Sequence, residues 1–171
     1  NAALLAVNRN SNWKWAITSE DEWYKAAYYD PTTSSYCDYP TRSNAAPGRD
    51  LNDVSGNNAN YYGSPFPLDS PYPTTVVGQF DNSASPYGTF DQGGNVWEWN
   101  EAVIGSHRGL RGGSFGDYVG VVGLHASVCV DDNPAYESNV LGFRVVEVPE
   151  PCSAALLLAG AVGFFRRRLC R

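Results

Sequence analysis

The sequence predicts an irregular, loop-rich or β-rich globular domain, and three observations carry that expectation. The 171 residues include 17 Gly and 11 Pro, turn formers in numbers that oppose a helical bundle. Only 18% of residues are charged while 13% are aromatic, too few charges and too many rings for a disordered chain. Apolar residues come in short runs separated by turns, as short strands require. A chain of this length suits one domain with a little extra, able to bury roughly two-thirds of its extended surface. The formal net charge of −6 argues against a nucleic-acid partner.

The chain opens on NAALLAVNRN, residues 1–10. This run has no basic segment before it, so no signal peptide is read there. Asn1, where an initiator Met is expected, predicts a fragment or a start that lies upstream. Ser19, followed three residues later by Glu22, is a capping-box pattern, and Glu20, Asp21 and Glu22 suit the positive end of a helix dipole. They predict a helix over about residues 19–29, stopped near Asp30-Pro31. Trp23, Ala26 and Ala27 then share its buried face.

Residues 31–75 are rich in Pro, Asn, Ser, Gly and Tyr and predict one long loop region. Compact domains reserve such a length for function, a metal or a special scaffold. Val76–Phe80 reads as a short strand and Asn82–Tyr87 as a turn. Alternation in Asn95–Trp99 puts Trp97 and Trp99 on one face and Glu98 on the other. Gly109–Phe115 begins a further strand with a glycine break. Leu141–Val148 reads as the last strand, and no internal repeat is present.

The C-terminal end is different in kind. Ser153–Phe165 (SAALLLAGAVGFF) carries no charge, Pro149 and Pro151 isolate it from the preceding strand, and Arg166, Arg167 and Arg168 follow it. Four of the 12 basic residues, those three and Arg171, lie in the last six positions; without them 8 basic residues face 18 acidic ones, a body charge of −10. As a helix the apolar run rises about 20 Å, short of the roughly 30 Å hydrocarbon core. A buried core helix is one reading. An arginine triplet at a chain end opposes it and favours a membrane tail, basic end inside and body outside. The order Val148-Pro149-Glu150-Pro151, apolar segment, arginine cluster resembles the PEP-CTERM sorting signal. The resemblance implies an exosortase-type membrane enzyme as partner, in a Gram-negative exopolysaccharide producer. It also implies an exported body whose export signal lies upstream.

A second resemblance rests on six motifs in one order: TSEDEWYKAA (18–27), ANYYGS (59–64), VGQF (77–80), YGTFDQGGNVWEWNE (87–101), RGLRGGSF (108–115) and LGFRV (141–145). Together they resemble the formylglycine-generating enzyme, or sulfatase-modifying factor, family over roughly residues 15–147. The resemblance implies a compact, loop-rich α+β domain related to C-type lectins. It also implies that this chain lacks the N-terminal half of that domain. The expected organisation is a partial family domain over 1–147 and a sorting and membrane tail, with its hydrophobic helix, over 148–171.

The family's enzymes oxidise a sulfatase cysteine to formylglycine with oxygen and copper(I) held by two thiolates. Soft sulfur is what copper(I) selects. Counting from Ser114, Asp117 and Val122 stand at the two thiolate positions, and Cys129 is the one cysteine in that stretch. The resemblance therefore implies no copper chemistry and no catalytic residue. The four cysteines are Cys37, Cys129, Cys152 and Cys170. For Cys37 and Cys129, a disulfide in an exported body and two free thiols are equal readings.

Asp91 to Glu98 has a carboxylate at each end and glycines between, a pattern that suits hard, oxygen-bound calcium. From spacing alone, a buried salt bridge of Glu98 with Arg111 or Arg144 is the stronger reading. The resemblance implies calcium, on the Asp91 and Glu98 side chains and the Gly94 and Val96 carbonyls. It maps a second calcium site onto Asn60 and Tyr61, with Asp69 as a candidate acidic partner. Trp97 and Ser114 match positions near the family's substrate cleft, against a plain reading of core packing and strand capping. His107 and His125 have no catalytic spacing and read as surface or turn residues.

Two function classes follow. One is a non-catalytic binding or structural domain, displayed at the cell surface or in exopolysaccharide, with an aromatic cleft for an extended peptide or a glycan. The other is an oxidase that converts a sulfatase cysteine to formylglycine. A third, weaker option is a gene fragment that does not fold alone.

Overall fold

Ser19 starts the main helix as its sequence predicts. In the computed structural model, which describes residues 2–147, α1 is a short turn of helix at Ala2–Leu5 and α2 runs from Glu20 to Tyr28. Ser19 Oγ accepts from the Glu22 amide and Glu22 Oε2 accepts from the Ser19 amide at 2.8 Å, so both halves of the capping box are made. The helix ends where Tyr29 turns extended, one residue ahead of the position that Pro31 restricts. Trp23, Ala27 and Tyr28 are fully buried while Ala26 is half-buried, so the apolar face is rotated towards Tyr28 relative to the expected one.

The larger unit takes Ile17–Arg144 and the chain start up to Asn8. The smaller takes Arg9–Ala16 and the segment that begins at Val145. Strand β1 (Trp15–Ile17), whose Trp15 and Ala16 belong to the smaller unit, pairs with β8 (Val145–Glu147), and within that unit the Arg9 guanidinium lies 4.4 Å from the centre of the Trp13 ring.

In the larger unit β2 (Tyr29–Asp30) and β3 (Ser35–Tyr36) form an antiparallel pair. The principal sheet has four strands in the order β6-β5-β4-β7. Here β4 is Trp97–Ile104, β5 His107–Arg111, β6 Val130–Asp132 and β7 Leu141–Phe143. Strands β4, β5 and β6 are antiparallel neighbours, and β7 runs parallel to β4 with Trp97 opposite Leu141. A 3₁₀ turn at Gly120–Leu124 carries Leu124 under α2, where the Tyr28 hydroxyl donates to the Leu124 carbonyl at 3.0 Å. Burial pushes the Tyr28 phenol well above its ordinary range, with Arg111 pulling the other way. The β5 strand breaks at Gly112 and Gly113, both in the left-handed region at φ +99° and +76°, as the glycine pair there predicts.

Two expectations need correction. Val76–Phe80 is a turn and not a strand. Gly78 has φ +79°, its amide donates to Asp91 Oδ2, and the Gln79 amide returns to the Val76 carbonyl. Phe80 is buried while Val76 and Val77 are exposed. The predicted strand over Leu141–Val148 is two strands divided at Arg144, whose side chain leaves the ladder for Glu98. The predicted tail and its sorting residues Val148, Pro149, Glu150, Pro151, Arg166, Arg167 and Arg168 lie outside the described residues. Among the described residues no helix is long and apolar enough to cross a membrane.

The long irregular stretch between Gly48 and Asn95 is held by buried polar side chains. Fully buried Asp53 accepts from Asn58 Nδ2 at 2.8 Å, from Ser83 Oγ at 2.6 Å and from the Asn82 amide at 2.8 Å. Asn95 Oδ1 accepts from Asn60 Nδ2 and from the Thr75 amide and hydroxyl. Gly94, at φ +82°, sits so close to this net that a Cβ there would lie 2.2 Å from the Asn60 carbonyl oxygen. Only glycine fits that approach.

Candidate functional site

Strand β4 delivers Trp97 and Glu98 to different neighbours, and both are buried. Trp97 Nε1 donates to Asp117 Oδ2 at 3.1 Å. Asp117 also receives the Val119 amide on Oδ1 and the Gly120 amide on its carbonyl. It is thus an acceptor that ties the end of β4 to the turn leading into the 3₁₀ segment. Ser114 is 1% exposed, and its hydroxyl has no hydrogen-bond partner among the described residues. A buried hydroxyl left this way is destabilising, by about 1–3 kcal/mol.

Beyond Asp117 the chain presents rings to solvent. Tyr118 is 84% exposed and packs 4.7 Å from Tyr62, which packs 5.4 Å from exposed Phe66. Val119 and Val122 on the same turn are exposed as well. The cluster joins residues 62–66 to residues 118–122. It forms where Gly120, at φ +59°, brings the turn against the Tyr62 carbonyl. Grouped exposed rings mark binding surfaces more often than single exposed apolar residues do. A tyrosine face offers apolar area with a polar edge, suited to stacking on a sugar or a peptide side chain.

The two positions implied for copper thiolates do not fit the ion. The Asp117 carboxylate is engaged by Trp97 and the Val119 amide, and Val122 is an exposed aliphatic. Cys129 stands alone, its Sγ 3.8 Å from the Val130 carbonyl. Copper(I) needs two soft donors, and this arrangement offers none at either position. Cys37 and Cys129 are both free, which decides between the two readings of that pair. Burial pushes both thiols above the usual range.

Three of the four implied calcium donors carry bonds within the protein. Asp91 Oδ2 accepts from the Gly78 amide, and the Gly94 carbonyl accepts from the Val96 amide. Glu98 holds Arg144: Nε donates to Oε2 at 2.6 Å and Nη2 to Oε1 at 2.7 Å. Trp23 Nε1 donates to the same Oε2 at 2.6 Å. Of the two arginines open to Glu98 by spacing, Arg111 is taken elsewhere, by Glu20 and the Ala126 and Val128 carbonyls. Burial works against the Arg111 cation, but the Glu20 hydrogen bond and charge hold its pKa above the ordinary value. At the second implied site, Asn60 Nδ2 donates to the Pro73 carbonyl and to Asn95, and the Tyr61 hydroxyl donates to the Pro47 carbonyl. Asp69 is turned into a bridge with Tyr72. Among the described residues no group of three or more His, Cys, Asp or Glu side chains converges on a metal position.

The histidines are local. His107 Nδ1 lies 2.6 Å from Asp131 Oδ2, and His125 Nδ1 lies 2.8 Å from Ser127 Oγ, both pairs in exposed positions. Trp97 and Ser114, expected near a cleft, flank the strand end that leads to the aromatic cluster. The rings of that cluster were not singled out from sequence. Their signal was the tyrosine pair in ANYYGS and a lone Tyr118 after Asp117, neither of which has a period.

A sequence model of the sulfatase-modifying factor enzyme 1-like domain matches residues 4–149. Among solved structures, Treponema denticola variable protein 1 is 25% identical, with a TM-score of 0.60 over 87% of this chain and 53% of that one. CarF is 22% identical, with a TM-score of 0.53 over 83% of this chain and 51% of that one, a likeness of fold. The chain thus spans about half the length of either. No curated protein matches it in sequence.

Proposed function

Because the chain belongs to the sulfatase-modifying factor enzyme 1-like family, we propose that it uses that scaffold for binding and not for oxidation. The carrying observation is the pair of positions where the family's thiolates are expected: an aspartate bonded to Trp97 and an exposed valine. What the turn offers instead is the Tyr62, Phe66 and Tyr118 cluster, a surface for an extended glycan or peptide. The tail over 148–171 is read as a sorting signal for an exosortase-type membrane enzyme, which places the body at the cell surface or in exopolysaccharide. Its box, apolar run and arginine triplet support that reading.

The test combines binding with turnover. Glycan and peptide arrays probed with the full chain should give a ligand. Tyr118→Ala with Phe66→Ala should weaken it at least tenfold, as two lost ring contacts of about 1 kcal/mol each predict. Incubation of a Cys-x-Pro-x-Arg peptide with the protein, copper(I) and oxygen should leave the cysteine unchanged. Aldehyde in that peptide would show an oxidase and end the binding reading.

A further inference from the structure

We propose that Arg49 is the cation of an oxyanion site on the segment that carries Tyr62 and Phe66. Arg108, Arg111 and Arg144 each spend their guanidinium on carbonyls or a carboxylate. Arg49 does not. Its Nε, Nη1 and Nη2 are buried, and none of them has a hydrogen-bond partner among the described residues. Asp50, next in the chain, accepts from Asn52 instead. What the guanidinium does have is a ring, with its Cζ 5.5 Å from the centre of Tyr61. The Tyr61 hydroxyl is spent on the Pro47 carbonyl. Burial pushes the Arg49 pKa below the ordinary arginine value, and Tyr61 pulls the other way.

A long cation on a surface keeps its stem against the protein and its head in water. Arg49 is half-buried as a residue, yet its three nitrogens are covered. A covered guanidinium without a counter-charge is costly. Its planar fork of N–H donors fits the oxygens of a carboxylate, sulfate or phosphate two at a time. Gly63 lies against that plane: a Cβ there would be 3.0 Å from Nη1 and 3.3 Å from Cζ. Tyr62 and Phe66 flank Gly63 along the chain, and Ser64, Pro65 and Phe66 are exposed. A ligand seated on those rings rests on the segment that covers the guanidinium, and an outward shift at Gly63 uncovers Nη1. The chemistry is that of an oxyanion, from either of two sources: a free ion, or the acid group of a ligand on the rings. The second source rests on the binding proposed above, and narrows it to ligands that carry a carboxylate, sulfate or phosphate.

The experiment is calorimetric unfolding of the full chain in millimolar series of sulfate, phosphate and acetate, against chloride at matched ionic strength. In at least one of them the wild-type midpoint should rise by at least ~3 °C beyond the chloride control. Arg49→Met keeps an apolar stem on Tyr61 and removes the unpaired charge. It should unfold no lower than the wild type in chloride and show no oxyanion rise. Arrays that pair acidic and neutral forms of the same ligand separate the sources. A wild-type preference for the acidic form that Arg49→Met loses assigns the ligand's acid group, and a midpoint rise without that preference assigns the free ion. A wild-type midpoint that follows chloride in all three series would overturn the inference. So would an Arg49→Met protein that unfolds lower in chloride, fails to fold, or responds to oxyanions as the wild type does, because Arg49 would then be an ordinary part of the fold. Arrays without any ligand would end the binding reading and leave the oxyanion site to the midpoint rise, so the two failures are told apart.

Discussion

Two regions of this protein solve the same problem by different means. Around α2 and the four-stranded sheet, backbone groups are paired in regular elements and charged side chains are matched by opposite charge, Glu20 with Arg111 and Glu98 with Arg144. Between Gly48 and Asn95 there is almost no regular element, and short polar side chains do the pairing. Asp53 gathers three neutral donors, Asn95 gathers Asn60 and Thr75, and Thr89 closes on Gln92 through its hydroxyl. Buried backbone groups need partners wherever they lie. Asn, Asp, Ser and Thr supply them on stems too short to lose much rotamer entropy. A long loop can therefore be as fixed as a sheet, and more brittle, because each bond depends on one side chain.

That brittleness is measurable. Asp53→Ala leaves Asn58, Ser83 and the Asn82 amide unpaired in a buried position, and should cost about 4 kcal/mol in chemical denaturation. A loss under about 1 kcal/mol would mean that the loop adapts and the contrast is false. Trp23→Phe tests the other region. It removes one donor from Glu98 while Arg144 remains, and should cost about 2–3 kcal/mol. If it costs more than Asp53→Ala, the sheet region is the brittle one.

Tyr28→Phe should cost least, about 1 kcal/mol for its bond to the Leu124 carbonyl. It carries a pH signature. The unfolded phenol ionises near pH ~10, while burial keeps the folded phenol protonated above that. The unfolded state then binds fewer protons, so stability falls as pH rises past about 10. The Phe variant should show a shallower alkaline limb in a pH series of unfolding curves. An unchanged limb would mean that Tyr28 is not what sets it.

Local signals in the sequence proved trustworthy where the physics is local. The capping box of Ser19 and Glu22 spans three residues, and both of its bonds are made. The Gly112-Gly113 break needs only the absence of a Cβ. Val76–Phe80 failed because its apolar residues imitate a strand, whereas the Gly78 amide is claimed by Asp91, 13 residues further along. Leu141–Val148 failed at Arg144, whose partner lies 46 residues back. Near the candidate site, the motifs pointed to Trp97, Glu98 and Ser114 as residues, and the structure supplies their partners or, for Ser114, none among the described residues. Asp117 was named only as the residue standing where a thiolate would be. Its bond to Trp97, and the gathering of Tyr62, Phe66 and Tyr118, depend on how the loop before β4 meets the turn after β5.

By itself the sequence determined the family, the helix cap, the glycine turns and the missing thiolate pair, because these follow from residue identity and short spacing. Tertiary structure alone decided what sits on Glu98. Two arginines were equivalent by spacing, and one of them, Arg111, is held by Glu20 and two carbonyls across from α2. Charge selects its partner by distance and burial in three dimensions, and separation along the chain enters neither.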